Sequence, residues 1–213
     1  MGFFITFEGI EGSGKTTQIR KAAQYLGRHH IPYITTLEPG GTALGVELRT
    51  ILLGRTSLHI GERAELFLFA ADRMQHVEEV ILPAMEAGKV VLCDRFGDAT
   101  IAYQGYGRGL DIGFVTRVNE YASHGITPDM TVLFDAPVET GLGRVKGRNT
   151  AVAGQSHDDR FEREAEAFHE RIRQGYLELA RAEPGRFRVI DATDAVDEIH
   201  HRVTSYMMKL IKG

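Results

Sequence analysis

The chain has a single cysteine, no excess of charge of one sign and no long apolar run, and each absence removes a class of protein. With Cys93 alone among 213 residues, no internal disulfide and no cysteine-based metal site can form. That usage fits a reducing compartment and sets the cytoplasm as the expected location. The 25 Lys and Arg residues against 29 Asp and Glu leave a net charge of −4, so no global field holds a polyanion such as DNA. Phosphate recognition must be local, and nucleic acid is not an expected partner. The opening MGFFITFEG has no basic segment and too few apolar residues for a signal peptide or a membrane span. Its Gly2 leads directly into a strand pattern, which argues against an acylated arm. There is no internal repeat and no H-x-x-x-H pattern. The pairs His29/His30 and His200/His201 are adjacent and cannot both face one ion from a helix, so the histidines are read as surface or capping residues.

What is present is an ordinary globular composition, 43% hydrophobic and 25% charged, in a length that suits one domain over residues 1–213. Short β-branched or aromatic runs alternate with helix-period stretches, the pattern of βαβ units around a parallel sheet. Five runs are expected as strands: Phe3 to Glu8, Tyr33 to Glu38, Val90 to Asp94, Met130 to Asp135 and Phe187 to Asp191. Ile19, Ala22, Ala23 and Leu26 mark one helix face, and Val196, Ile199, Val203 and Met207 another. The segment Gly61 to Ala87 is apolar nearly all round in its first half, which predicts a central buried helix, kinked or restarted by Pro83. Residues 148 to 159, RNTAVAGQSHDD, carry no sustained period and are expected as a mobile loop.

Directly after the first strand pattern, Gly9-Ile10-Glu11-Gly12-Ser13-Gly14-Lys15-Thr16 fits the G-x-x-x-x-G-K-[ST] loop at every fixed position. Thr17 follows where a helix should begin. Such a loop wraps a polyphosphate with successive backbone N–H groups and places it on a helix N-terminus. Lys15 would then reach the β and γ phosphates, and the Thr16 hydroxyl would ligate Mg²⁺. The metal also needs an acid at the end of a neighbouring strand. Asp94 in VVLCD is the first candidate and Asp135 after TVLF the second. A guanine-specifying N-K-x-D is missing, which weakens a GTP-switch reading.

Six stretches in order, EGIEGSGKTTQ, LEPGGT (37 to 42), AADRMQHV (70 to 77), DRFGDATIAYQGYGRG (94 to 109), TPDMTVLFD (127 to 135) and DDRFE (158 to 162), resemble the thymidylate kinase family across almost the whole chain. The resemblance implies a P-loop α/β fold, a parallel five-stranded sheet flanked by helices with a small lid over about residues 144 to 160. It implies transfer of the γ-phosphoryl group of ATP to dTMP with Mg²⁺, and a homodimer, for which the 61–87 helix is apolar enough to supply a face. By similarity, Phe69 stacks on thymine and Arg73, four residues on, bonds its carbonyl. Thr100 and Gln104 lie at the base edge, and Tyr103 crowds the 2′ position of the sugar. Arg95 and Arg49 match arginines at the acceptor phosphate, Glu38 and Glu11 match carboxylates near sugar and metal, and Glu162 in DDRFE is counted among the substrate-binding residues. Without the family, Phe69 reads equally well as core, and Arg73 as a partner of Glu65 or Glu79.

No cation occupies positions 10 to 13, so charge for the transferring phosphoryl is expected from the lid, as an arginine finger supplies it. Arg148 is the first candidate, Arg160 the second, with Arg144 and Lys146 behind them. Lys15, Arg95, Glu11 and Arg148 thus form the expected catalytic set. The arginines 163, 171 and 173 are assigned to a salt-bridged helix face. Two positions depart from the family pattern: Leu37 stands where many members have arginine, and Ala99 where serine is common.

Overall fold

In the computed structural model, residues 2–54, 58–151 and 160–213 are described, apart from the side chains of 148–151 and 163. Strand β1 (Phe4–Glu8) is buried at all five positions, as a strand covered on both faces must be. It forms the centre of the sheet. Helix α1 (Lys15–Arg28) leads to β2 (Tyr33–Leu37) at one edge. Helix α2 (Ala43–Leu53) is capped by the Thr42 hydroxyl, which accepts from the Gly45 N–H. Next come α3 (Glu62–His76), a π-helical segment over Val77–Ile81, and α4 (Leu82–Glu86). The wider π turn lies where the ring of Pro83 would otherwise meet the carbonyl of residue 79, so the expected kink takes this form.

Strand β3 (Val90–Asp94), α5 (Gly97–Thr100), a second π segment Ile101–Gly107, α6 (Ile112–Ala122) and β4 (Met130–Asp135) follow. The chain closes with α7 (Val138–Ala151), α8 (Glu166–Ala182), β5 (Phe187–Asp191) and α9 (Val196–Lys212). Among the described residues the five strands are all parallel, in the order β2-β3-β1-β4-β5. Three match the expected strands residue for residue and the other two are one residue shorter. Alternation along β1 divides the core. Ile5 and Phe7 pack with Ile19, Leu26, Ile199, Val203 and Met207 from α1 and α9. Phe4 faces the other side, toward Val77, Ile81, Cys93 and Phe96. Val196, expected on the buried face of α9, is instead half exposed and lines a cleft, because it is the first residue of its helix at the carboxyl edge of the sheet.

The long helix also differs from expectation. Its buried face on α3 carries Glu65, Asp72, Arg73 and His76 beside Leu66 and Ala70, while Phe67 is 55% exposed. Charged groups on this face are buried because they bond to one another and to neighbouring elements. Among the described residues no helix is long and apolar enough to cross a membrane.

Candidate active site

In an open parallel sheet of this order the crevice lies beyond the carboxyl ends of the strands, where the connections from β1 diverge. There the glycine loop turns from β1 into α1. Gly9 has φ 140° and Gly12 φ 71°. A Cβ at Gly9 would lie 2.5 Å from the Phe134 carbonyl, and one at Gly12 only 2.1 Å from the Gly141 carbonyl on α7. Both positions therefore require glycine. The first turn of α1 holds no acidic residue, so its unpaired N–H groups and the positive end of the helix face the cleft unopposed. Lys15 folds back over the loop, its Nζ donating to the carbonyls of Gly9 (2.9 Å) and Ile10 (2.8 Å) and to Ser13 Oγ at 3.4 Å. Burial, with Arg95 nearby, lowers its ammonium to about 8, against the pull of Asp94, Glu11 and Glu8.

Thr16 Oγ1 donates to Asp94 Oδ2 at 3.1 Å, joining the loop to the end of β3. Asp135 is held elsewhere: Arg173 bonds it in a two-pronged pair at 2.6 and 3.0 Å. Of the two acids considered for the metal, only Asp94 meets the loop threonine. After it, Arg95 adopts φ 71°, a conformation that costs a non-glycine residue roughly 1–2 kcal/mol. The turn sends its guanidinium across the cleft over the ring of Tyr103. Arg95 donates to Glu11 Oε1 at 2.9 Å and to Tyr176 Oη at 3.1 Å, Tyr176 donates to Glu8 Oε2 at 2.7 Å, and Tyr103 also donates to Glu11. Burial works to raise the Glu11 carboxyl, but Arg95, His169, Lys15 and Tyr103 together hold it well below the usual range. Glu8 goes the other way. Burial, reinforced by Asp98, pushes it up to about 8, despite Arg95, Tyr176 and the Phe96 N–H at 2.7 Å.

The remaining predicted residues meet at the other end of the same cleft. Phe69 and Arg73, one turn apart on α3, line it together with Thr100, Tyr103 and Gln104. Arg73 is 1% exposed and does not pair with Glu65 or Glu79. Its Nε and Nη2 grip Glu38 at 2.9 and 2.8 Å, Nη1 donates to Asn119 at 2.6 Å, and Nη2 donates to Thr100 at 3.0 Å. One of its five N–H groups then has no partner among the described residues. Glu38, just before a cis Pro39, also bonds His76 Nδ1 at 2.9 Å. Arg49 reaches the Pro39 carbonyl at 2.7 Å on the rim, and Glu162, Leu37 and Ala99 line the cleft.

The lid cations separate. Arg144 lies against the glycine loop, with Nη1 3.0 Å from the Ala192 carbonyl and 3.5 Å from that of Gly12. Arg160, ranked above it from sequence, is drawn to the opposite end by the buried carboxylate of Glu65 and the Leu52 carbonyl. The Arg148 side chain lies outside the described residues. Loop, strand-end acid and aromatic pocket border one cavity of about 960 Å³, a size typical of small-molecule sites.

Residues 7–203 match the family model for thymidylate kinase. The chain belongs to the thymidylate kinase family. It is 51% identical to the thymidylate kinase of Syntrophus aciditrophicus (strain SB) over 97% of this chain and 94% of that one. It is 47% identical to that of Geotalea daltonii, with both chains fully covered. The crystal structure of thymidylate kinase from Ehrlichia chaffeensis superposes with a TM-score of 0.77 at 33% identity, covering 97% of this chain and 98% of that one.

Several site residues of this family member escaped the sequence reading. His76 and His169 are fully buried rather than at the surface. His76 is held between Glu38 and Thr36, and His169 lies 3.4 Å from Glu11. Spacing carried a signal for His76, three residues after Arg73 on the same face. For His169, Tyr176 and Asn119 there was none, since their partners are distant in sequence. Cys93 is buried, its thiol pushed well up by burial and by nearby Glu38, Asp94 and Glu8, which keeps it in the unreactive thiol form.

Proposed function

We propose that the protein transfers the γ-phosphoryl group of ATP to dTMP, giving dTDP for dTTP synthesis. The observation that carries this reading is the continuity of the cleft. One cavity runs from the N–H-lined loop to a pocket with an aromatic ring and a forked donor, with Arg95 and Glu11 between them. Residues 9 to 17 bind the ATP phosphates. Phe69, Arg73, Thr100, Gln104 and Tyr103 hold the nucleoside of dTMP, and Glu38, Arg49, Arg95 and Glu162 hold its sugar and phosphate. A phosphate monoester is already largely dianionic at neutral pH, so the acceptor needs no general base. The protein supplies position and charge. Lys15 and Arg95 are the fixed cations, Glu11 keeps Arg95 aimed, and Arg148, together with Arg144, brings charge from the lid over about residues 144 to 160.

Thr16 and Asp94 suit Mg²⁺, because a hydroxyl and a carboxylate side by side are the hard oxygen donors it takes. Bound there, the ion would neutralise phosphate charge. The whole chain, residues 1–213, acts as one domain. Phe67 and Phe114 are exposed and in edge contact at 6.3 Å, with Leu44 and Val46 also exposed on α2, which packs on α3. This apolar face supports a homodimer, which sedimentation velocity would detect. A cytoplasmic site of action, without nucleic-acid or membrane partners, fits the single buried thiol and the balanced charge.

ADP release from Mg-ATP, measured alone and with dTMP, dUMP, dCMP, dGMP or thymidine, tests the activity. Stimulation by dTMP above the others supports it, and equal release without any acceptor refutes it.

A further inference from the structure

Glu65 sits on α3 at 1% exposure, deep beneath the end of the cleft where Gln104 lies. Its Oε1 accepts from Gln104 Nε2 at 2.8 Å and from Arg108 Nε at 3.2 Å. Its Oε2 accepts from Arg160, and from Arg108 Nη2 at 3.3 Å. Arg108 is balanced in turn by the part-exposed Glu164 at 2.6 Å, so the cluster around Glu65 pairs two cations with two anions. A carboxylate only accepts, whereas a carboxamide presents a donor at one end and an acceptor at the other. Glu65 therefore decides which way Gln104 faces. With its nitrogen turned inward to Glu65, Gln104 has one polar atom left for the cleft it lines, its carbonyl oxygen, and that oxygen accepts no hydrogen bond among the described residues.

We infer that Glu65 is a specificity-setting positioning residue: it locks Gln104 as an acceptor for the imide N–H of a pyrimidine-dione base. The inference rests on the proposed function, in which this pocket takes the base. The neighbouring groups complete the pattern. Arg73 keeps one N–H unpaired, and Thr100, whose oxygen already accepts from Arg73, keeps its hydroxyl hydrogen to give. Two donors and one acceptor lining the same cleft match thymine or uracil, whose edge reads acceptor, donor, acceptor. Cytosine presents an amine and an unprotonated ring nitrogen there and would set acceptor against acceptor at Gln104.

Glu65→Gln provides the test because its outcome is directional. In the variant the two arginines claim the new amide oxygen, its NH2 turns to residue 104, and Gln104 flips to present its own NH2 to the cleft. Calorimetric titrations with dTMP and with 5-methyl-dCMP, which differ only at ring nitrogen 3 and the 4-substituent, give the two Kd values. The ratio of Kd for 5-methyl-dCMP to Kd for dTMP is expected to fall about tenfold or more in Glu65→Gln. It is expected to fall similarly in Gln104→Leu, and to fall no further when the two changes are combined. Glu65→Gln leaves the cluster with an extra positive charge, so Glu65→Gln/Arg160→Gln restores the balance and serves if the single variant does not fold. An unchanged ratio in a folded variant, or equal weakening of both ligands, would overturn the inference, since a purely structural role affects both alike. Failure of the wild type to bind dTMP at all would instead overturn the proposed function.

Discussion

Replacing Glu8 by glutamine should remove a pH-dependent destabilisation built into the centre of the sheet. The carboxyl is fully buried at the end of β1, accepts from the Phe96 N–H and from Tyr176, and is pushed from 4.5 up to about 8, chiefly by burial and then by Asp98. Below 4.5 it is protonated whether the chain is folded or not. Between 4.5 and about 8 the unfolded chain releases this proton and the folded one keeps it. Stability that is full at low pH is therefore lost progressively as pH rises through this window, by about 1.4 kcal/mol per pH unit from this one group. A carboxamide mimics the protonated form, its carbonyl accepting from Phe96 while its N–H, like the carboxyl O–H, donates to the Tyr176 oxygen once the direction of that hydrogen bond is reversed, and it does not titrate. The unfolding free energy of Glu8→Gln minus that of the wild type should thus increase by about 3 kcal/mol from about pH 5.5 to about pH 7.5. Urea melts at fixed protein concentration, at several pH values in this range, measure it. A difference that stays flat with pH would mean that Glu8 is ionised in the folded protein, and the account of this buried network would fail.

Three further outcomes follow from the same geometry. Arg73→Ala should cut kcat/KM for dTMP by about a hundredfold or more while changing ATP affinity no more than about threefold, and steady-state kinetics showing equal losses would refute its assignment to the acceptor. Lys15, lowered to about 8 in the free protein, should be raised again by a polyphosphate. Nucleotide binding above pH 8 should then take up a proton and weaken with rising pH by up to about tenfold per unit. Calorimetry in two buffers of different ionisation heat reads that uptake, and none at about pH 9 would exclude the role. Asp94→Asn should raise the Mg²⁺ concentration needed for half-maximal ADP release by about tenfold or more, whereas an unchanged magnesium curve would remove Asp94 from the metal site.

The strands were legible because a parallel sheet covered on both faces needs unbroken apolar runs, and VVLCD and MTVLFD are such runs. The glycine loop was legible because its chemistry is local: φ angles, close backbone approach and a helix start lie within eight residues. The polar half of the site was not. Glu8 meets Tyr176 and Arg73 meets Asn119 across long stretches of chain, and no period or spacing announces such pairs. The helix from 61 to 87 shows the cost of reading by apolarity alone. Leu66, Phe67, Phe69 and Ala70 suggest burial all round, yet beside Leu66 and Ala70 the inward face carries Glu65, Asp72, Arg73 and His76, while Phe67 looks out.

That inversion follows from what a cleft for two phosphorylated ligands demands. Fixed donors stabilise developing charge only if they need not reorganise, so each guanidinium must be held by buried acceptors. Glu38 holds Arg73 and Glu11 holds Arg95. Every such acceptor adds negative charge beside an anion site, which works against binding. Around the glycine loop the cations Lys15 and Arg95 face the carboxylates Glu11 and Asp94, and an ionised Glu8 would tip the balance negative. Burial avoids this by keeping the proton on Glu8 near neutral pH. The group can then fix Tyr176, and through it Arg95, by hydrogen bonds alone. Its raised pKa and the destabilisation it brings are thus the consequence of burying a third carboxyl beneath the glycine loop, close to Asp98.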